Sequence, residues 1–190
     1  GESKKLMKIR RGEDLFKKLG YEQESPQLLL LNEAFKRVSE VLLYRLNTGE
    51  KANVNLSENV TAQAKYSGVR GNDITVTVKT NVDDPSSFDV VTFLDTVVMD
   101  SQTVKVLADL KNNDLVEFSG TGELQAVAGA KLTGGTDGTV STQDYSEYFK
   151  ALETVEFNYM ALPVEDASIK KAAINFIKRM REDEGLGAQL

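Results

Sequence analysis

The sequence LTGGTDGT, residues 132–139, contains three glycines and one carboxylate, and it separates two different patterns in the chain. Short alternating segments and turns precede it, whereas apolar residues at helical spacing follow it. Glycine-rich turns ahead of helices often hold phosphates, so this stretch is the first candidate for a nucleotide site. Its order is G-G-x-x-G with no following lysine, which matches neither G-x-x-x-x-G-K-[ST] nor G-x-G-x-x-G. We therefore interpret it as a turn that redirects the backbone.

Residues 51–132, upstream of the turn, have the pattern of a β-rich domain. Alternation places Ile74, Val76 and Val78 on one strand face. The predicted strands are 60–66, 73–80, 88–94, 115–119 and 124–132. A short helix is predicted over 103–114. Several short strands with frequent turn signals indicate a small barrel or sandwich.

Both ends of the chain carry helical patterns instead. Helices are predicted over 12–20 and from the N-caps Ser25, Ser141 and Asp166 onward, with Gly185 ending the last of them. The predicted core positions of these helices are Leu28, Leu31, Phe35, Val38, Leu152, Val155, Ile169, Ala173, Phe176, Ile177 and Met180. The apolar runs 41–46 and 157–164 are predicted to be buried strands, and 187–190 resembles the start of another.

This order of patterns predicts an α/β fold with two domains. Residues 1–50 and 133–190 are expected to form one discontinuous α/β sandwich domain. Residues 51–132 are expected to be an inserted β-rich domain, long enough to bury a small core of its own. The glycine-rich turn would then lie where the chain leaves the insertion.

Composition excludes several classes of function. The chain has no cysteine and no histidine, which removes disulfides, thiolate catalysis, zinc–thiolate sites and the commonest general base. A net charge of −6 argues against nucleic acid as the main partner, and the basic cluster 8–11 is interpreted as solvated surface. No apolar run approaches the length of a membrane span, so no membrane insertion is expected. Since the first residue is glycine, we expect the chain to be a piece of something longer.

The remaining candidate sites favour structural interpretations. Asp83, Asp84 and Asp89 are close in sequence but lack the alternating ligands and central glycine of a calcium loop. The acidic run 181–185 is interpreted as a solvated helix end. The aromatic residues of the helix after the turn, Tyr145, Tyr148 and Phe149, have core spacing. We predict no catalytic, cofactor-binding or metal-binding residues, so a structural or interaction module is favoured over an acyl or phosphoryl enzyme that works without histidine.

Six segments, considered together, resemble a known family. The chain resembles the tail sheath protein of contractile phage tails, in particular the form found in phage-like elements and defective prophages of Gram-positive bacteria. The segments are RGEDLFKKLGY (11–21), VLLYRLNTGEKA (41–52), AKYSGVRGNDITV (64–76), KNNDLVEF (111–118), LTGGTDG (132–138) and REDEGLGAQ (181–189). They occur in the family's order and extend along the whole chain.

The resemblance implies a mechanical function without catalytic residues or cofactors. Six subunits would form a ring, and rings would stack helically around the tail tube. After a signal from the baseplate the sheath would contract and drive the tube through the target cell envelope, as in R-type bacteriocins and other contractile injection systems. The protein would belong to the virion and be assembled in the bacterial cytoplasm.

The resemblance also implies that this chain is a middle fragment. Full-length sheath proteins have terminal arms and a C-terminal domain that the chain would lack, so we expect it to be monomeric. The alternative function is a generic β-domain for binding or adhesion in a phage or cell-surface protein.

Overall fold

A computed structural model describes residues 1–183 and shows an α/β fold rich in antiparallel sheet, which confirms the predicted class. The strands are β1 (Leu6–Arg10), β2 (Glu40–Tyr44), β3 (Asn53–Ser57), β4 (Val60–Ala64), β5 (Ile74–Thr80), β6 (Phe88–Leu94), β7 (Val97–Val104), β8 (Val116–Gly120) and β9 (Val127–Lys131). The helices are α1 (Leu15–Leu19), α2 (Leu29–Phe35), α3 (Thr142–Leu152) and α4 (Ala167–Asp183). The predicted helix end at Gly185, the last two residues of the acidic run 181–185 and the strand start at 187–190 lie outside the described residues.

Strands β3–β9 share a single core, and we call them the β unit. The sheet orders are β3-β4-β8 and β7-β6-β5-β9, and a bridge between Asn53 and Thr133 connects the two sheets at one edge. Strand β5 shows the physical basis of this arrangement. Ile74, Val76 and Val78 are at most 4% exposed, while the residues between them are half-buried, so one face of the strand is directed into the core. Two sheets around one such core form a sandwich.

The structure confirms the five strands that were predicted in this region, and corrects the helix that was predicted over 103–114. Residues up to Val104 instead complete β7, which pairs along its length with β6. Only Leu107–Asp109 form a single 3-10 turn. Strand β3 was not predicted at all. Pairing with a neighbouring strand determines the structure of these segments, and it outweighs their local pattern.

Side-chain hydrogen bonds hold the segment after β7 against that strand. The Gln102 side-chain amide donates to the Lys111 carbonyl oxygen at 2.8 Å and accepts from the Lys111 backbone N–H at 2.9 Å. Asn113 donates to the buried hydroxyl of Thr92 at 2.9 Å and to Asp100 at 3.2 Å. The segment after β7 is thereby held beside the strand without forming a ladder of its own.

The N-terminal part combines β1, β2, α1 and α2 around a second small core. Strand β1 pairs antiparallel with β2, which confirms the strand predicted at 41–46. The fully buried residue of β1 is Ile9, whereas the cations of the basic cluster 8–11 are exposed, as predicted. Helix α1 begins at Asp14, whose carboxylate accepts from the Lys17 N–H at 3.1 Å, and ends at Gly20, whose φ of 82° suits glycine.

Helices α3 and α4 form a third core at the C-terminal side. The five predicted core positions of α4 are confirmed as buried: Ile169, Ala173, Phe176, Ile177 and Met180. Asp166 caps α4 by accepting from the N–H groups of Ser168 and Ile169, as predicted. The ring of Tyr148 lies 5.2 Å from that of Tyr44 on β2, so this core also contacts the N-terminal part. Burial raises the pKa of Tyr148 to about 12.

The strand predicted at 157–164 is wrong. Within residues 1–183 this segment forms no strand, has only a single bridge position at Tyr159, and pairs with neither β1 nor β2. Its apolar residues, chiefly Met160 with Phe157 and Leu162, pack against α3 and α4 instead. Pro163 lacks an N–H for a strand ladder. Within residues 1–183, the two chain ends are therefore connected by side-chain contacts, and no sheet combines strands from both ends.

The contact between Lys4 and Asp144 generates a pH-dependent prediction. The hydrogen bond from Lys4 and those from the backbone and side chain of Ser141 lower the pKa of Asp144 to about 2. A lowered carboxyl pKa stabilises the fold above the pKa of the unfolded chain, and this contribution is lost as pH falls through the folded pKa. Asp144→Asn should therefore lower the Tm at pH 7 and reduce the further drop in Tm between pH 5 and pH 2.

Asp83→Asn is the matched control, because the Asp83 carboxylate makes no hydrogen bond within residues 1–183. Differential scanning calorimetry at a series of pH values measures both variants. Equal acid sensitivity of Asp144→Asn and the parent protein would contradict the prediction.

Candidate functional site

The glycine-rich turn lies between β9 and α3, beside the segment that leads from β2 into β3. We call these two adjacent segments, residues 48–53 and 133–138, the crossing. The Thr136 N–H donates to the Glu50 carbonyl oxygen at 3.2 Å, and the Glu50 N–H donates to the Thr136 hydroxyl at 3.0 Å. Asn53 and Thr133 exchange two further backbone hydrogen bonds. The chain therefore enters and leaves the β unit at one place.

The crossing is so close that it requires glycine. A Cβ atom at Gly49 would lie 1.6 Å from the Thr136 carbonyl oxygen, and one at Gly138 would lie 2.0 Å from the Thr48 carbonyl oxygen. Both contacts are with backbone, which cannot rotate away as a side chain can. Gly138 also has a φ of 67°, in the left-handed region that favours glycine.

A 3-10 turn, Val69–Asp73, contacts the crossing from within the β unit. The Val69 N–H donates to the Asp137 carboxylate at 3.0 Å. The Asn72 side-chain amide donates to the Gly135 carbonyl oxygen at 2.9 Å and accepts from the Gly135 N–H at 2.8 Å. The backbone groups of Gly135 and the carboxylate of Asp137 are thus hydrogen-bonded within the protein.

Two arginines reach in opposite directions between the β unit and the N-terminal part. Arg45, just after β2, donates to the Ser67 carbonyl oxygen at 2.6 Å. Arg70, in the 69–73 turn, donates through Nε to the Gly20 carbonyl oxygen at the end of α1, also at 2.6 Å. The Arg70 guanidinium lies 5.2 Å from the centre of the Tyr21 ring, within the range of a cation–π contact. Burial raises the pKa of Tyr21, so its hydroxyl stays neutral at physiological pH.

The acidic loop 81–89 uses its carboxylates to hold its own backbone. Asp84 accepts from the hydroxyls of Ser86 and Ser87 at 2.6 and 2.8 Å, and these hydrogen bonds hold its pKa well below the usual range. Asp89 accepts from Thr103 at 2.6 Å and from Asn81. Within residues 1–183 there is no cluster of acidic side chains suited to a metal ion. Of the aromatic candidates, Tyr148 and Phe149 pack against the core of α3 and α4.

Sequence reasoning did not single out Arg45 or Arg70. Arg45 lies in the predicted strand 41–46, and Arg70 lies in a segment that was quoted only for its resemblance to a family. An arginine between two glycines in a β-rich stretch was the available signal, since it marks a cation where the backbone turns sharply. Its partner Gly20 is 50 residues away, so no local pattern could identify the contact.

Sequence models of phage tail sheath regions match the whole chain. Residues 1–46 match the model described as "Tail sheath protein Gp18 domain III N-terminal region". Residues 47–137 match "Phage tail sheath protein beta-sandwich domain", and 138–190 match "Phage tail sheath protein central domain". No helix within residues 1–183 combines the length and apolarity needed to cross a membrane.

Similar proteins match the chain along its full length. The phage-like element PBSX protein XkdK of Bacillus subtilis strain 168 is 40% identical, and the protein YqbK of the same strain is 42% identical. Among solved structures, the sheath tail protein of Desulfitobacterium hafniense is 48% identical with a TM-score of 0.93. The sheath tail protein Lin1278 of Listeria innocua is 39% identical with a TM-score of 0.92.

The match covers 100% of this chain in all four cases, and 44% to 45% of each relative. The chain therefore spans a little under half the length of these proteins. Three sheath models that follow one another without a gap, together with two sheath structures that share its fold, show that the chain belongs to the phage tail sheath protein family.

Proposed function

We propose that the chain is part of a structural subunit of a contractile phage tail sheath. The observation that carries the proposal is the match to the sheath tail protein of Desulfitobacterium hafniense, with 48% identity and a TM-score of 0.93 over the entire chain. The name of XkdK assigns that relative to a phage-like element, which supports a prophage or phage-like origin here. The protein would belong to the virion and would be made and assembled in the bacterial cytoplasm.

The proposed action is polymerisation followed by contraction. Neighbouring subunits form hexameric rings that stack helically around the tail tube, and the baseplate releases a rearrangement that drives the tube through the target cell envelope. Such a transition changes the contacts between subunits while each subunit keeps its fold. The three packed cores and the crossing suit this role, because they hold the described part of the chain together.

The proposed domain division has residues 1–50 and 133–190 as one discontinuous α/β domain and residues 51–132 as an inserted β domain. The buried residues of the β core all lie between Ala52 and Leu132, which supports the insertion. Leu6 packs against the α3–α4 core, which supports the union of the two chain ends. The boundaries of the three matched sheath models lie within five residues of this division.

We further propose that the protein has no enzymatic activity and needs no cofactor or metal. The family is a structural one, and the carboxylates that first suggested a site bind to hydroxyl and N–H groups of their own loops. A generic adhesion domain remains the second candidate function, but it would not explain why sheath models match both sides of the β unit.

A chimeric protein tests the assembly. Residues 1–190 replace the matched segment of the Desulfitobacterium hafniense sheath tail protein, of which they cover 45%. We expect the chimera to form tubes that are visible by negative-stain electron microscopy, because the restored segments supply the remaining subunit contacts. The parent relative serves as the positive control.

Residues 1–190 alone, without the segments of the relative, serve as the matched negative control. They should stay monomeric at micromolar concentration by light scattering, since they span under half of the relatives' length and repel one another at a net charge of −6. A stable hexamer of this chain would contradict the expectation, and a folded chimera that never assembles would contradict the sheath proposal.

Calorimetric titration tests the absence of a nucleotide site at the glycine-rich turn. We expect no saturable heat with ATP or GTP in the presence of Mg²⁺, because Asn72 and Asp137 already engage the polar groups of this region. Saturable binding that disappears in Gly134→Ala would contradict the prediction; an added Cβ meets no atom within 4 Å there, although the φ of 83° favours glycine, so circular dichroism must show that the variant is folded.

A further inference from the structure

The segment GVRGND, residues 68–73, contacts three separate parts of the fold. It reaches α1 through Arg70 and the crossing through Val69 and Asn72. It also reaches the turn between β6 and β7, where Arg70 binds Asp95. A segment of six residues thereby connects the β unit to both ends of the chain.

Carboxylates of the β unit hold the Arg70 side chain in the position from which it contacts α1. Its two terminal nitrogens bind Asp95 at 3.0 and 2.6 Å, and one of them also binds Asp73 at 2.8 Å. Both carboxylates belong to the β unit. The remaining donor, Nε, is then directed at the Gly20 carbonyl oxygen. A planar guanidinium can satisfy all three partners together, whereas a lysine ammonium has no such fork.

Gly20 lies close to the aliphatic part of Arg70 and to Leu94. A Cβ atom at Gly20 would lie 3.4 Å from Cγ of Arg70 and 3.6 Å from a methyl group of Leu94. Phe16, on α1, packs against the core of the β unit. Apolar contact therefore surrounds the polar one and reduces its competition with water.

The contact at the crossing alone would leave the β unit free to rotate about one axis. Two neighbouring segments at one place define an axis about which the β unit can turn. The contact between Arg70 and Gly20 lies on a different element, α1, so it opposes rotation about that axis. Arg45, which reaches the Ser67 carbonyl oxygen from β2, adds a second restraint beside it.

We propose that residues 68–73 form a latch that fixes the orientation of the β unit relative to the rest of the subunit, with Arg70 as its main positioning residue. The latch makes the subunit move as one body, so displacement of one part is transmitted to the other. This inference rests on the proposed division into two domains. It does not depend on assembly, because the orientation is a property of a single chain.

The absence of cysteine makes the orientation measurable in the intact chain. Spin labels at Ser101→Cys on β7 and Lys171→Cys on α4, both exposed positions, report the distance between the two parts by pulsed electron paramagnetic resonance. We expect a narrow distance distribution in the parent protein. Arg70→Ala should give a roughly twofold broader distribution, since other orientations become populated.

Arg10→Ala is the matched control, because Arg10 binds Glu40 within the β1-β2 sheet and does not connect the two parts. It should leave the width unchanged. An unchanged width in Arg70→Ala would overturn the latch, even if the chimera described above forms tubes. Broadening in Arg70→Ala together with failed assembly of the chimera would leave the latch supported and overturn only the sheath proposal.

Two milder variants cover the case in which Arg70→Ala does not fold. Arg70→Lys keeps the charge but loses the fork, and Asn72→Ala removes only the contact with Gly135. Circular dichroism verifies that each variant is folded. Arg70→Lys should broaden the distance distribution, and a parental width in both folded variants would overturn the proposal.

Discussion

The close backbone contact at the crossing is the constraint on which the rest of the structure depends. The chain leaves β2, builds a complete sandwich and returns to α3 through segments whose backbones touch at Gly49 and Gly138. Backbone N–H and carbonyl groups in such a contact need partners, and they find them in the backbone hydrogen bonds between Asn53 and Thr133 and from Thr136 to Glu50. Because the entry and the exit are fixed together, the β unit can close its own core without separating the two chain ends.

The sequence predicted the parts of the fold that depend on local pattern. The alternation of β5, the cap Asp166 and the buried face of α4 each follow from a pattern within a few neighbouring residues. The errors occur where distant partners determine the structure. Strand β7 forms because β6 lies beside it, and residues 157–164 stay irregular because their apolar side chains fit between helices.

The same limit applied to the candidate site. The glycine-rich turn was recognised as structural because its spacing fits no phosphate motif. The contacts that Asn72 and Asp137 make at the turn exist only in the folded chain. Asn72 and its partner Gly135, for example, are 63 positions apart in the sequence. The role of Arg70 could not be predicted for the same reason, because its partner Gly20 is 50 positions away. Residues that couple two parts of a fold leave little periodicity in a sequence, whereas residues that fill a core repeat at regular spacing.

The hydrogen bonds between Gln102 and Lys111 have a consequence for a protein that is proposed to pack against copies of itself. An open strand edge offers N–H and carbonyl groups to any chain at high local concentration, and such pairing has no fixed end point. The Gln102 side-chain amide occupies both backbone groups of Lys111, so the segment beside β7 offers neither of these groups to another chain. Random strand addition is thereby disfavoured at Lys111, which leaves ordered association to surfaces whose geometry is specified.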